Sequence, residues 1–260
     1  MVEHYSYWLW PVLAYTVSAL GSFLGLRCAT RARGRSGLAQ AGWIAMGAVS
    51  IGGVGVWAMH FIAMLGFRIQ GAAVRYDLLL TVVSAVIPIA VMALALPLII
   101  RGRRWALPVG GPIVAVGVVS MHYLGMASMS GHAGMEHNPL FAAAACAIAL
   151  VAAPVALWFT GHLWTVGSTL AGALVMGLGV SAMHYTAMLG VRVTDHQHGA
   201  AAASGVSALD FLFPLILGPG VFLTAGFLLL AVVPDERSRR AQADGDARPS
   251  PQPARTDAWS

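Results

Sequence analysis

Seven long apolar stretches, separated by short polar segments, make up most of the chain. A helix needs roughly 20 apolar residues to cross the hydrocarbon core of a bilayer, and each stretch reaches that length. The pattern therefore predicts an all-α, polytopic membrane helix bundle with seven transmembrane helices. The predicted helices lie near residues 7–27, 42–66, 78–100, 106–128, 139–160, 165–190 and 210–233.

The composition agrees with a protein that faces lipid. Hydrophobic residues account for 58% of the chain and charged residues for only 10%, whereas a soluble domain carries about 25% charged residues. All 15 basic residues are arginine, and they occur in loops and not along one helix face, so the net charge of +5 is not a nucleic-acid signal. The partner that the composition predicts is the lipid bilayer, with no nucleic acid.

The placement of arginine predicts the orientation in the membrane. Twelve arginines fall in the first loop, the third loop and the C-terminal tail, and three fall on the opposite side. Because cytoplasmic loops are enriched in arginine, we expect the N-terminus outside and the C-terminus in the cytoplasm. The larger group is Arg27, Arg31, Arg33, Arg35, Arg101, Arg103, Arg104, Arg237, Arg239, Arg240, Arg248 and Arg255, and the smaller is Arg68, Arg75 and Arg192.

The pattern Met-His-aromatic-x-x-Met occurs three times, with its histidines at His60, His122 and His184. Successive copies are 62 residues apart, which equals two helices and their loops. The first six helices are therefore predicted to form three tandem helix-hairpin repeats. Since the second, fourth and sixth helices run in the same direction, the three histidines are expected at one depth near the outer surface.

Small residues accompany each histidine at fixed offsets, as expected where helices pack closely in lipid. A glycine stands five residues before each histidine and an alanine or glycine three residues after it. The residues before are Gly55, Gly117 and Gly179, and the residues after are Ala63, Gly125 and Ala187. Such neighbours would let the three helices approach until their imidazole rings meet.

The donor atoms of the motif indicate a metal site. A histidine and the methionine four residues later share one helix face, whereas the methionine before the histidine points about 100° away. Thioether is a soft donor suited to Cu(I), and imidazole suits copper, zinc and iron. Zinc would more often recruit thiolate or carboxylate, and neither lies beside the motifs. The residues favour one copper ion bound by three imidazoles with one or more thioethers. The candidate thioethers on the histidine face are Met64, Met126 and Met188.

Two further interpretations of the histidines concern the loops and the helices. The predicted outer loops contain additional histidines and methionines that could collect metal ahead of the site. These are His132, His137, His196 and His198, with Met129 and Met135. A single histidine in an apolar helix can instead be a structural hydrogen-bond partner. Three copies at one membrane depth favour a shared site.

The motif residues resemble the MHYT family of bacterial integral membrane sensor domains, over roughly residues 8 to 192. Residues 183–186 read MHYT, and the copies that begin at Met59 and Met121 read MHFI and MHYL. The resemblance implies a copper ion bound near the outer face by the Met, His and Tyr of the motif, and sensing of O2, CO or NO. It implicates Met59, His60, Met121, His122, Tyr123, Met183, His184 and Tyr185. In the first copy Phe61 replaces the tyrosine and has no oxygen to donate.

These observations predict a domain organisation and a function. We expect a membrane sensor domain over 1–192, an outer loop and seventh transmembrane helix over 193–233, and a disordered cytoplasmic tail over 234–260. No catalytic motif or output domain is found, so the prediction is a copper-dependent sensor of a diatomic gas or of redox state, not an enzyme, that signals through a separate partner protein. The alternatives are copper acquisition or delivery at the outer membrane face, a membrane enzyme or a haem protein in which two of the histidines clamp the haem, and a structural or assembly role.

Overall fold

The computed structural model of the protein describes residues 6–67, 75–130, 133–195 and 205–233. Within these residues seven helices are long and apolar enough to cross a membrane, which confirms the predicted bundle. In chain order the helices are α1 (Ser6–Arg33), α2 (Gly37–Met64), α3 (Leu78–Ile100), α4 (Ala106–Ala127), α5 (Pro139–His162), α6 (Val166–Leu189) and α7 (Ala208–Val232).

The first helix is longer than the apolar pattern predicted. It continues to Arg33, so the prediction that Arg27, Arg31 and Arg33 belong to the first loop is wrong; only Arg35 lies between α1 and α2. The arginine side chains of this last part of the helix reach neighbouring groups. The Arg33 guanidinium lies 4.1 Å from the centre of the Trp164 ring, a cation–π contact. The apolar pattern ends at the first of these arginines, whereas the helix continues through them.

Six helices form a closed ring in which each packs against the next in sequence and α6 packs against α1. The seventh helix lies outside this ring, against α1 and α2. In a ring built from three hairpins, α2, α4 and α6 run in the same direction and occupy equivalent positions. This arrangement brings the three histidine-bearing helices to one axis.

The glycines five residues before each histidine pack these helices against the helix that precedes each of them. A Cβ added at Gly117 would lie 2.8 Å from Val91 of α3, and one at Gly179 would lie 3.0 Å from Ala152 of α5. The equivalent contact of Gly55 is with the Ser22 hydroxyl of α1, at 3.3 Å. The close packing predicted from the small residues is therefore present in all three repeats.

Helix α2 differs from its two counterparts because its middle part, Val49–Ala58, is π-helical. Two hydroxyl groups bond α2 to α1 here: Ser18 donates to the Gly55 carbonyl at 2.7 Å, and Ser50 donates to the Gly21 carbonyl at 2.7 Å. The apolar pattern carries no signal for this change of winding. π-helical turns are often found at functional sites, and this segment ends immediately before Met59 and His60.

Short strands join the loops at the end of the bundle where α2, α4 and α6 terminate, which we call the strand end. The apolar pattern predicted only short loops there. The strands are β1 (Arg75–Tyr76), β2 (Met129–Ser130), β3 (Ala133–His137), β4 (Val191–Asp195) and β5 (Val206–Ser207). Strand β1 is the central strand of an antiparallel sheet between β2 and β5, and β3 pairs with β4 in antiparallel register. These pairings connect the ends of the three histidine-bearing helices.

Candidate metal centre

The histidines of the three motifs lie together near the strand end, enclosed by the bundle. His60, His122 and His184 are 1%, 0% and 1% exposed. Their Nδ1 atoms face one another, with separations of 3.1 Å between His60 and His184, 3.2 Å between His60 and His122, and 3.3 Å between His122 and His184. The structure thus brings together the three side chains that the repeat predicted to meet.

The geometry of this cluster repeats the three-fold pattern of the sequence. The imidazole planes are inclined to one another by 78°, 82° and 80°. Each histidine also contacts the aromatic residue that follows it edge to face, with ring centres 5.0, 5.0 and 4.9 Å apart. Those aromatic residues are Phe61, Tyr123 and Tyr185. The three copies of the motif therefore have the same arrangement of rings as well as the same sequence pattern.

Three imidazole nitrogens that face one point cannot all be satisfied by one another. In a neutral imidazole each nitrogen either carries a proton or presents a lone pair, along one direction in the ring plane. Among three Nδ1 atoms, at least two must both carry a proton or both present a lone pair. At least one close pair of nitrogens therefore repels. The Nε2 atoms of His60 and His122 are also buried without a hydrogen-bond partner in the described structure. A cation at the centre would be bound by all three lone pairs.

The size of the triangle matches a metal ion better than a water molecule. The centre of a triangle with these sides lies about 1.8 Å from each nitrogen, close to the roughly 2.0 Å of an imidazole–metal bond. A hydrogen-bonded water would need about 2.7 Å or more. Within the described residues the group that could hold a metal ion contains these three histidines and no carboxylate or thiolate. The donor set fits a metal ion bound by nitrogen.

A glycine of α4 makes room for one of the rings. A Cβ added at Gly125 would lie 2.5 Å from the His60 Nε2 atom and 2.9 Å from its Cδ2 atom. The residue three positions after His122 must therefore be glycine if the His60 ring is to remain where it is. The equivalent positions in the other two repeats tolerate alanine.

The six motif methionines are buried to different degrees and belong to different apolar clusters. Met64 and Met126 are buried in one cluster with Tyr76 and Met129 of the strand end, and Met188 packs against the same cluster. Of the methionines that precede the histidines, Met59 belongs to that cluster too, whereas Met183 belongs to another with Met92 and Met176. Met121 is fully buried. The structure thus keeps the three methionines on the histidine face together.

The aromatic residues after the histidines have different surroundings. Phe61 is fully buried, and its ring centre lies 5.1 Å from Trp57, 5.7 Å from Tyr76 and 5.3 Å from Phe211. A tyrosine hydroxyl at this position would enter an apolar cluster, which accounts for phenylalanine. The Tyr185 hydroxyl is buried and has no hydrogen-bond partner in the described structure.

Sequence reasoning missed two residues that pack on Phe61. Tyr76 and Phe211 meet Phe61 only through the tertiary fold, whereas Trp57 lies one turn before Phe61 on the same helix. Burial raises the pKa of Tyr76 to about 12, so its phenol stays neutral beside the site. The loop between α2 and α3 contributes an uncharged aromatic side chain here and not an anion.

The loop histidines are placed only in part. His137 is exposed, and its ring centre lies 5.3 Å from that of Tyr123. Met129 is 6% exposed and Met135 is half-buried, both with the cluster at the strand end. His132, His196 and His198 lie outside the described residues, as do Arg68 and the tail over 234–260.

The chain matches the family model for MHYT, described as the bacterial signalling protein N-terminal repeat, at residues 53–111, 116–173 and 177–243. Each match covers a histidine-bearing helix and the helix that follows it, so the third match includes α7. The pairing predicted from the motifs placed each histidine in the second helix of its hairpin. In the closed ring α2 also packs against α3 and α4 against α5, so the first two matches describe neighbouring helices, whereas α7 of the third match packs against α1 and α2.

Signalling proteins of several bacteria are similar to the chain. The bifunctional diguanylate cyclase/cyclic di-GMP phosphodiesterase MucR of Pseudomonas aeruginosa is 33% identical over 200 residues, which cover 73% of this chain and 28% of that protein. The cyclic di-GMP phosphodiesterase NbdA of the same species is 33% identical over 68% of this chain and 23% of its own length. The signaling protein YkoW of Bacillus subtilis is 24% identical over 86% of this chain and 29% of its own. The chain thus spans less than a third of each relative. No solved structure matches it.

Proposed function

The chain belongs to the MHYT family of bacterial signalling proteins, and from that premise we propose that it is a membrane sensor that uses one copper ion bound by His60, His122 and His184. The observation that carries the proposal is the triangle of Nδ1 atoms with sides between 3.1 and 3.3 Å. Three buried nitrogens that face one point at this spacing are unfavourable alone and suited to a metal ion.

The surroundings of the triangle favour Cu(I) over zinc. The cost of burying an ion rises steeply with its charge, and a doubly charged ion is usually offset by anionic ligands. No carboxylate or thiolate belongs to the described group, and the three imidazoles are neutral when they bind metal. Nitrogen and thioether donors together also suit Cu(I). A singly charged copper ion is therefore the cation that this apolar, uncharged site would hold most readily.

The ligand set that we propose has three imidazoles at its centre and thioethers as additional soft donors. Met64, Met126 and Met188 are the first candidates, because they share the cluster beside the rings. The family pattern adds the remaining motif residues, Met59, Met121, Met183, Tyr123 and Tyr185. A bound Cu(I) ion would supply an electron-rich centre to which O2, CO or NO can coordinate. The side chains of this protein hold the ion, exclude water and limit access.

The geometry favours sensing over metal delivery and over haem binding. A delivery protein must release its metal, whereas these histidines are almost fully buried, and Phe61 packs edge to face on His60. Two histidines that clamp a haem lie on opposite sides of the iron, so their nitrogens would be about 4 Å apart, twice the length of an imidazole–metal bond. The observed separations are at most 3.3 Å.

The proposed sensor extends over residues 1–192, followed by the seventh-helix segment 193–233 and the tail 234–260. We place the strand end outside and the arginine-rich end in the cytoplasm of the inner membrane. Because α7 packs against α1 and α2, a movement of α2 at the metal site can reach α7 directly. Relatives are named for the synthesis or breakdown of cyclic di-GMP, and we propose such an enzyme as the recipient of the signal.

Copper content tests the proposal. Wild type, His122→Ala and His162→Ala would be purified in detergent without added chelator and their metals measured. His162 is the matched control, because it stacks on Trp158 at the opposite end of α5 from β3 and lies outside the histidine cluster. We expect about one copper per chain in wild type and His162→Ala and a loss of most of it in His122→Ala, since two nitrogens bind less tightly than three. Equal copper in all three proteins would refute the site.

A further inference from the structure

A cavity of about 540 Å³ lies between the helices of the ring on the side of the histidines away from the strand end. Its inner end is formed by residues in equivalent positions of the three repeats: Val56, Val118 and Val180 each precede the histidine of their helix by four residues, one helical turn. Met183, the residue before His184, also lines it. The cavity therefore reaches the three histidine-bearing helices one turn below the rings.

The same cavity extends to the lipid-facing surface. Its outer lining includes Val151 and Val155 of α5 and Val175 of α6, which are 68%, 39% and 49% exposed on transmembrane helices. Its inner lining includes Val114 and Met183, which are 4% and 2% exposed. The cavity thus extends from the lipid-facing surface to the helical turns that precede the three histidines.

The lining determines what can occupy this space. Almost all of it is aliphatic or methionine side chain, with Ser22 as a hydroxyl-bearing exception. Apolar cavities stay dry and take up apolar solutes such as xenon or benzene, because water needs two to four polar partners. Ions, sugars and peptides would lose their hydration without compensation. The chemical class that fits is a small, uncharged molecule that dissolves in the bilayer.

We propose that this cavity is a binding site and entry path for a small apolar molecule, of the size and chemistry of O2, which passes from the bilayer to the histidine cluster. The role of the cavity rests on the proposed function. A gas that enters here would reach the metal without crossing the strand end. A lipid chain is a poorer occupant, because filling a closed inner end would immobilise a flexible chain. A diatomic molecule has no such freedom to lose.

The methionines allow a test that does not depend on metal. Met59, Met121 and Met183 precede their histidines in the three repeats, so they lie at one membrane depth, and each is at most 2% exposed. Of these three, Met183 lines the cavity. Metal-free protein would be prepared in lipid nanodiscs with 13C-labelled methionine methyl groups, each assigned by a single Met→Leu substitution. Paramagnetic relaxation by dissolved O2 would then be measured for each methyl group.

We expect O2 to relax the Met183 methyl group several-fold more strongly than those of Met59 and Met121. Val118→Phe, which fills the inner end, should remove most of that difference. Val116→Phe is the matched control, because Val116 lies on the same helix but faces lipid at 63% exposure and does not line the cavity. It should leave the difference unchanged.

Two results would overturn the inference. Equal relaxation of the three methyl groups would mean that O2 does not enter the cavity. Strong relaxation of Met183 by a lipid with a spin-labelled acyl chain would mean that a lipid chain occupies it. The copper measurement is separate, so a protein without copper can still show O2 in the cavity, and a copper-binding protein can fail this test.

Discussion

Gly125→Ala is a one-methyl change that should disturb the metal site without replacing a ligand. The new Cβ would lie 2.5 Å from the His60 Nε2 atom, whereas an ordinary van der Waals contact begins near 3.4 Å, so the ring would have to retreat by about 0.9 Å. Metal sites tolerate deviations of about 0.2 Å in ligand distance. The required shift is several times that tolerance, and the ring is enclosed by Phe61 and the other two histidines.

The expected result is a copper affinity about 10- to 100-fold weaker, the usual effect of disturbing the support of a metal ligand. Overpacking should also lower the free energy of unfolding by about 1–3 kcal/mol. Affinity would be measured by competition with a Cu(I) chelator, and folding by circular dichroism. Gly42→Ala is the control, because a Cβ there meets nothing within 4 Å. A Gly125→Ala protein that is folded and binds copper as tightly as wild type would show that the His60 ring is not a ligand in this position.

Other changes test separate parts of the proposal. Phe61→Tyr should lower the free energy of unfolding by about 1–3 kcal/mol, because the hydroxyl would be buried without a partner; thermal unfolding checks this, and an unchanged stability would mean that the aromatic cluster is open to water. Reporter fusions at Gly131 and after Pro234 should report the outside and the cytoplasm respectively, and the reverse pattern would place the metal site on the cytoplasmic side. Deletion of residues 241–260 should leave membrane insertion and copper content intact, and loss of copper would make the tail part of the site.

The fold was predictable because two simple patterns determine it. Apolar length identified all seven helices, and the 62-residue spacing of the motifs predicted that His60, His122 and His184 would meet. Equivalent helices of a repeat occupy equivalent positions, so the helices that carry the three motifs are arranged around one axis. Helix ends were less predictable, since α1 continues through arginines that reach interfacial rings.

The rest of the site depends on contacts that no local pattern encodes. The π-helical turns of α2 coincide with two hydroxyl bonds to α1, and the strand pairings join loops far apart in sequence. Tyr76 and Phe211 pack on Phe61, the neighbour of His60, although neither belongs to a motif. The cavity below the rings depends on which face of α5 and α6 turns inward. Helical periodicity did not resolve those faces in nearly uniform apolar sequences.

X-ray absorption at the copper edge of the purified, copper-loaded protein tests the central claim most directly. We predict a Cu(I) edge and a first shell that contains three imidazole nitrogens at roughly 2.0 Å, with a thioether sulfur as an additional ligand. In His122→Ala the number of imidazole nitrogens should fall or the copper should be lost. A first shell of sulfur alone, or a spectrum that is the same in wild type and His122→Ala, would contradict a copper ion shared by His60, His122 and His184.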